Sequence, residues 1–342
     1  MKYKRVVVTR RGGPEVLRVV EEALREPGPG EVRVRTLAAG VSFADIFMRE
    51  GFHPESIFRR TPFTPGWDIV GRVDATGAGV TALCSGDLVA ALPIVGGYSQ
   101  VVYLPQEELV PVPARVDPGD AVSLVLNYVT AYQMLYRRAC VQPGHAILVH
   151  SAAGGVGTAL LELGRLSGLE VYGTASPSKH GVVRDLGAVP IDYQHADFVE
   201  VCRKLKPGGL DAVFDGIGGT HLLRSLRTIR RNGSLVAYGL GSTATKGRQT
   251  RSAIAATSLA WLWAFSYNLV PGYKKVKLYS IQMLKRRSPR LFRSDLEQLL
   301  ALLLEGHIHP VVAERFPLTE ARRAHELLAA GSTTGKLVLT FD

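Results

Sequence analysis

No C-x-x-C pair occurs in this 342-residue sequence, and its three cysteines, Cys84, Cys140 and Cys202, lie far apart. An odd number of distant cysteines excludes a disulfide framework and a zinc ribbon, and fits a reducing, cytoplasmic compartment. The basic start, Met1-Lys-Tyr-Lys-Arg, is followed by an apolar run too short for a signal peptide. Acidic residues are missing between Gly272 and Ser294, where Lys274, Lys275, Lys277, Lys285, Arg286, Arg287, Arg290 and Arg293 fall. Eight of the formal +11 charges therefore sit in one segment. No helix-turn-helix, zinc-finger or RNA-recognition signature accompanies that cluster, so nucleic acid is not the expected partner. No Ser/His/Asp or Cys/His arrangement is recognisable, and the nine histidines show no metal-ligand spacing.

What is present is enough apolar residue, 46%, for a full core, and a length that suits two domains. The chain is organised around Ala146-Ile-Leu-Val-His-Ser-Ala-Ala-Gly-Gly-Val-Gly157. Ala146 to Val149 reads as a buried parallel strand, and Ser151 to Gly155 as a small-residue loop. Val156, Leu160, Leu161, Leu163 and Leu166 then recur at helical spacing. Such a strand, loop and helix let the backbone approach a pyrophosphate that faces the helix N-terminus. The spacing Ala152-x-Gly154-x-x-Gly157 lacks the usual first glycine and also admits a purely structural turn. The next strand, Glu170 to Thr174, is followed by Ser176 and Lys179 with no acid to hold ribose hydroxyls. A hydroxyl and an ammonium suit a 2′-phosphate, which points to NADP(H). The alternative for Lys179 is a solvated residue at a helix start.

Three segments are expected: a β-rich domain over 1–122, a nucleotide-binding domain over 123–285, and a C-terminal return over 286–342. Strand candidates in the first are Val6–Val8, Glu31–Thr36, Ile69–Ala75, Asp87–Ala91 and Gln100–Tyr103. Asp117 to Arg138 reads as helical. Strands at Ala146–His150, Glu170–Thr174, Val189–Asp192, Leu210–Asp215, Ser234–Tyr238 and Lys275–Ile281 alternate with helices, which predicts a parallel sheet covered on both faces. Helices at Asp295–Glu305 and Thr319–Ala330 and a strand at Lys336–Thr340 close the chain. Arg251 to Val270 approaches membrane-spanning length, but Thr257, Ser258, Ser266 and Asn268 interrupt it and no second span exists. A buried crossover or substrate-pocket helix is expected there. With the neighbouring basic segment 274–293, an attachment to an anionic membrane surface is the alternative.

The order of parts resembles the medium-chain dehydrogenase/reductase superfamily: a GroES-like β-rich domain, a Rossmann domain with a doubly wound parallel sheet, and a C-terminal return. Ala39-Gly-Val-Ser-Phe-Ala-Asp45, Pro65-Gly66, Gly86-Asp87-x-Val89 and Leu186-Gly187-Ala188 resemble its zinc-independent quinone oxidoreductase group. Leu126-Asn-Tyr-Val-Thr-Ala-Tyr132 and Gly173-Thr-Ala-Ser-Pro-Ser-Lys-His180 are similar to the synaptic-vesicle amine-transport-like branch. Zinc members carry Cys where this chain has Ser42, and a His-Glu pair where it has Trp67-Asp68, so no metal is expected.

The resemblance implies Asn127 and Thr130 at the nicotinamide, Gly154, Gly155, Val156 and Gly157 at the pyrophosphate, and Thr174, Ser176, Lys179 and Tyr193 at the adenosine phosphate and ribose. Gly239 would line the nicotinamide by its backbone, and Lys336 would approach from the C-terminal return. Ser42 and Asp45 are the catalytic candidates. Asp45 either orients a neighbour or closes an ion pair. Tyr128 and Tyr132 either donate a proton or fill the core. Without a metal, hydride transfer from NADPH to a quinone or an α,β-unsaturated carbonyl is the expected chemistry, in a cleft between the domains. A membrane-surface or partner-binding protein with little turnover, and an enoyl reductase meeting a carrier protein, are the alternatives. A homodimer through the apolar edge strand at Lys275–Ile281 is also expected.

Overall fold

The computed structural model describes residues 1–239 and 251–341. In chain order the strands are β1 Lys2–Val8, β2 Leu17–Ala23, β3 Glu31–Val41, β4 Ile69–Thr76, β5 Leu88–Ala91, β6 Val101–Pro105, β7 Val110–Pro111, β8 Ala146–Val149, β9 Glu170–Ala175, β10 Val189–Asp192, β11 Leu210–Asp215, β12 Ile229–Ala237, β13 Lys275–Leu278, β14 Val312–Pro317 and β15 Lys336–Thr340. The helices used below are α1 Phe43–Glu50, α2 Pro118–Ser123, α3 Val129–Tyr132, α4 Gly155–Leu166, α5 His180–Asp185, α6 Phe198–Leu205, α7 His221–Leu226, α8 Arg251–Ser266, α9 Ile281–Arg287, α10 Pro289–Leu304 and α11 Ala321–Ala329. Two compact units result, Met1–Val129 with Leu284–Asp342, and Thr130–Met283.

The first unit is built on a seven-stranded sheet in the order β14-β15-β3-β4-β5-β7, with β6 also on β3. In its long strand β3, Val32 and Val34 alternate into the interior, and beyond an irregularity between Thr36 and Ala38 the strand is buried continuously from Ala38 to Val41. The C-terminal return enters this unit through β15, which runs antiparallel to β3 with Val338 opposite Gly40. Polar alternation hides β2 from a sequence reading: Leu17-Arg-Val-Val-Glu-Glu-Ala pairs with β1 across its full length. The helix α1 is likewise absent from the strand-based expectation.

The second unit carries a six-stranded parallel sheet in the order β10-β9-β8-β11-β12-β13. Counted from β8, this is the 3-2-1-4-5-6 order of the doubly wound nucleotide-binding fold, with the reversal between β8 and β11. Leu148, Val213 and Leu235 on adjacent strands join Phe198, Leu222 and Leu226 from the covering helices in one core cluster. The expected helix Asp117–Arg138 exists but is not a regular α-helix. It contains π-helical segments at Leu124–Tyr128 and Gln133–Ala139. Such local widening is frequent where helices carry function, and no sequence period announces it.

The segment expected to be a buried crossover is only partly buried. Ala260 and Ala264 of α8 are buried, their small side chains letting the helix approach α7 and the core. Leu259, Leu262, Trp263 and Leu269 are 61–82% exposed. The side chains of residues 253–258, part of the same expectation, lie outside the described residues. Strand β13 stops at Leu278, short of the expected Ile281, which instead opens α9. Its outer edge is not bare: the Asn268 amide donates to Val276 O at 2.9 Å and accepts from Val276 N at 2.8 Å.

Candidate active site and nucleotide loop

In the first unit the site grows from the start of α1. Ser42 has extended backbone and caps the helix, while Asp45, three residues on, returns its carboxylate to Ser42. Asp45 Oδ2 accepts from Ser42 N at 2.9 Å and from Ser42 Oγ at 2.6 Å. This reciprocal capping box satisfies donors that a helix start leaves open. Gly51 ends the helix in the left-handed region at φ 91°. Asp45 Oδ1 accepts from Gly66 N at 2.8 Å. Of the two readings open for Asp45, the geometry favours orientation of a neighbour.

The carboxylate is wholly buried, and a second buried acid, Asp68, lies close enough to repel it. Burial above all pushes Asp45 up to about 6. The Ser42 and Gly66 hydrogen bonds and the more distant Lys336 oppose that rise, and Asp68 adds to it. Lys336 is also buried, and its ammonium sits 2.7 Å from Asp68 Oδ2. Gly40 makes room for the pair, since a Cβ there would lie 2.2 Å from Lys336 Cε and 2.5 Å from Asp68 Oδ1. Burial raises Asp68, with Lys336 pulling the other way.

Behind Asp45 three more buried polar groups form a chain. Arg49 Nη1 lies 3.0 Å from His325 Nδ1, and His325 Nε2 lies 3.1 Å from Tyr98 Oη. A guanidinium only donates, so His325 Nδ1 accepts and its proton is on Nε2, pointing at the phenol. Burial, reinforced by Arg49, draws His325 down to about 3, which keeps the ring neutral. Tyr98 then has its own proton left for Asp45, with which it is hydrogen-bonded. Burial, with Asp45 beside it, raises Tyr98 well above the usual phenol range.

The helical run places Asn127, Thr130 and Tyr128 in buried positions, and Tyr132 half-buried with its ring 4.5 Å from that of Tyr136. For Tyr128, 2% exposed, the core reading is the one its burial favours.

In the second unit β8 runs through the loop Ser151–Gly154 into α4. Gly154 caps α4 with no side-chain acceptor on the first-turn N–H groups. Gly157 is required by close approach, since a Cβ there would lie 2.3 Å from Ser151 O. Gly154, Gly155 and Val156 are half-buried, so this helix start can take an anionic group such as a pyrophosphate. Beyond β9, Ser176 and Lys179 are half-buried, with Ser176 Oγ 3.3 Å from Ser178 Oγ, and Tyr193 is exposed. Burial lowers Lys179 somewhat. Gly239 follows β12, and a Cβ there would meet Gly216 O at 1.8 Å.

Thr174, expected at the adenosine phosphate and ribose, is 3% exposed at the end of β9. Asp215 Oδ2 accepts from Ser225 Oγ at 2.8 Å, so Ser225 accepts in turn from His150 Nε2 at 3.1 Å. That leaves His150 Nδ1 to accept from Thr174 Oγ1 at 3.0 Å, and the Thr174 proton is turned inward. Burial holds His150 at about 3. Asp215 is held well below the carboxylate range although burial pushes it up, chiefly by the hydrogen bond from His221. His150, Asp215 and His221 are the one group among the described residues whose donor atoms lie within 4.8 Å of one another. Those atoms are engaged in this network, which ties β9, β8, β11 and α7 together beneath the glycine loop.

The alcohol dehydrogenase GroES-like domain family matches residues 28–114, and a family described as zinc-binding dehydrogenase matches residues 186–339. The human synaptic vesicle membrane protein VAT-1 homolog is 32% identical over 92% of this chain and 79% of its own length. The chain belongs to the medium-chain dehydrogenase/reductase superfamily, zinc-independent quinone oxidoreductase group, VAT-1-like branch. It is an oxidoreductase of that superfamily. A 2-haloacrylate reductase of Burkholderia is 32% identical, with 97% of each chain covered. The structure of Escherichia coli quinone oxidoreductase complexed with NADPH matches with a TM-score of 0.84 at 27% identity, covering 98% of this chain and 99% of that one. The superfamily's catalytic zinc does not fit the residues here. A hydroxyl bonded to Asp45, an indole at Trp67, and a carboxylate paired with Lys336 are no tetrahedral ligand set.

Proposed function

We propose that this oxidoreductase is an NADPH-dependent reductase of quinones or of α,β-unsaturated carbonyls. The observation that carries the reading is the glycine-capped start of α4 at the switch point of the parallel sheet, with Ser176 and Lys179 beyond β9 and no acid at that strand's end. Gly154, Gly155, Val156 and Gly157 hold the pyrophosphate on first-turn N–H groups. Ser176 and Lys179 hold the 2′-phosphate, and Tyr193 lies against the adenosine. Asn127, Thr130 and Gly239 border the nicotinamide. When bound, NADPH supplies the hydride. The protein then has to stabilise and protonate the anion left on the substrate, a task for hydrogen-bond donors. The relative named for 2-haloacrylate, an electron-poor alkene, supports an acceptor of this class. A panel of quinones, simple enones and carrier-linked enoyl thioesters, followed by NADPH oxidation, tests the proposal. Turnover of a quinone or an enone is expected, and oxidation with none of them would refute it.

A second reading adds a membrane surface to the same protein. Leu259, Leu262, Trp263 and Leu269 expose a broad apolar face, and no Asp or Glu occurs between Asp215 and Asp295. No helix among the described residues is long and apolar enough to cross a membrane. An aromatic, apolar face amid cations suits the interface of an anionic bilayer. Flotation with phosphatidylserine vesicles tests this: salt-sensitive binding that Trp263→Glu abolishes is expected, and no flotation would refute it.

A further inference from the structure

The sequence leaves the proton donor unnamed, and the first unit holds an arrangement built for that task. We propose that Ser42 Oγ delivers the proton that completes reduction of the substrate, and that Asp45 recharges it along the hydrogen bond between them. The inference rests on the reductase reading above.

Geometry carries it. Ser42 is half-buried and Asp45 fully buried, so the hydroxyl is the member of the pair that can meet a substrate. Their oxygens are 2.6 Å apart, a short bond of the charge-assisted kind. Asp45 Oδ1 is engaged by Gly66 N, so a proton arriving on Asp45 belongs on Oδ2, on the line toward Ser42 Oγ. With that proton in place the Ser42–Asp45 bond reverses direction, and the Ser42 hydrogen is released to turn outward.

The surroundings suit a carboxyl that changes state. The groups facing Asp45 are Asp68 and Lys336, which neutralise each other, and Tyr98. Behind Tyr98 stand neutral His325 and then Arg49. The chain from Arg49 to Tyr98 is oriented so that every proton points toward Asp45, which therefore remains its acceptor end. No proton can be drawn back along it without reversing His325, whose Nδ1 is blocked by a guanidinium. Proton flow is thereby confined to the Ser42 side.

Hydride from NADPH adds to the β-carbon of an enone and leaves an enolate. The Ser42 O–H bond breaks as the proton passes to the enolate, and the Asp45 O–H bond breaks as its proton restores the Ser42 hydroxyl. Asp45 is left as carboxylate and, being buried, is reprotonated through Ser42, which passes its proton inward and takes one from water before the next turnover. The same sequence applies to the hydroquinone anion. Ser42 is thus a catalytic residue, and Tyr98, His325 and Arg49 are positioning residues.

Two measurements test this. In the cofactor-free protein, carbon-13 labelled aspartate is titrated by NMR, and Asp45→Asn assigns the signal. One carboxyl with a midpoint near 6 that vanishes in the variant is expected, and a midpoint near the ordinary ~4 would overturn the proposal. In turnover, Ser42→Ala should slow an enone by about 100-fold, the usual scale for a positioned acid, and should remove both the fall in rate above pH 6 and the solvent deuterium isotope effect. Ser42→Thr, which keeps hydroxyl and cap, should restore all three. Ser42→Ala with the wild-type pH profile and isotope effect would overturn the proton route while leaving the reductase reading intact. A wild-type protein that fails to oxidise NADPH with any of the quinones and enones offered would instead overturn the reductase reading.

Discussion

Replacing Asp45 by Asn should make the first unit more stable at pH 8 than at pH 4, relative to the wild type. Burial holds the wild-type carboxyl at about 6, against 3.8 for an exposed aspartate. Between those values the unfolded chain has lost its proton while the folded chain keeps it, so wild-type stability falls as pH rises. The contribution is fully present below pH 4 and lost above pH 6. A shift of roughly two units at 1.36 kcal/mol each sets the loss at about 3 kcal/mol. Asn carries no titrating group, so it escapes that loss. Its amide also meets two donors, Ser42 N and Ser42 Oγ, with one donating group of its own, which costs about 1–3 kcal/mol at every pH. The absolute stability of the variant is therefore uninformative, and the pH-dependent part carries the result. Trp67 is buried in this unit, and Trp261 and Trp263 belong to the other. Urea unfolding monitored by Trp67 in a Trp261→Phe/Trp263→Phe background isolates the response. The difference between variant and wild type should change by about 3 kcal/mol from pH 4 to pH 8, in favour of the variant. A flat difference would refute the raised carboxyl.

Three further perturbations bear on other parts of the structure. Lys336→Met leaves Asp68 buried without its cation and should destabilise by about 3–5 kcal/mol in thermal or urea unfolding, whereas Asp68→Asn/Lys336→Met should recover most of that loss. Lys179→Glu should weaken NADPH by about 10- to 100-fold in a fluorescence titration and leave NADH nearly unchanged, since a charge-assisted hydrogen bond contributes about 1.5–3 kcal/mol. Asn268→Ala removes the side chain that occupies the outer edge of Val276 and should raise the dimer fraction in sedimentation. An unchanged mass would show that Asn268 does not guard this edge.

The sequence makes local features legible and hides distant ones. The strand, glycine loop and helix over Ala146–Leu166 announce themselves because their signals lie in one continuous stretch of chain. The parallel order of the second sheet follows from the alternation of strands and helices, which admits few connections. Ser42 and Asp45 were both nameable, and their three-residue spacing before an apolar helix is itself a capping signal, although a strand-based reading passes over α1. Nothing local links Asp68 to Lys336, 268 residues away, or Arg49 to His325, 276 residues away. Those pairs exist because the C-terminal return lays β15 beside β3 and brings α11 against α1. Thr174 shows a different limit of a local reading. Its position at a strand end suits a ribose, but the neighbour that takes its proton, His150, lies on the adjacent strand's end. The apolar run in α8 reads as buried because composition cannot tell which face of a helix the core accepts, and here the alanines take it.

On the proposed function, the α4 loop with Ser176 and Lys179 takes a nicotinamide nucleotide bearing a 2′-phosphate. The most direct measurement is titration of the purified wild-type protein with NADPH and with NADH, read by nicotinamide fluorescence at fixed ionic strength. Saturable binding of NADPH at least about 10-fold tighter than NADH is expected from one charge-assisted phosphate contact. Tighter binding of NADH, or binding of neither, would contradict it.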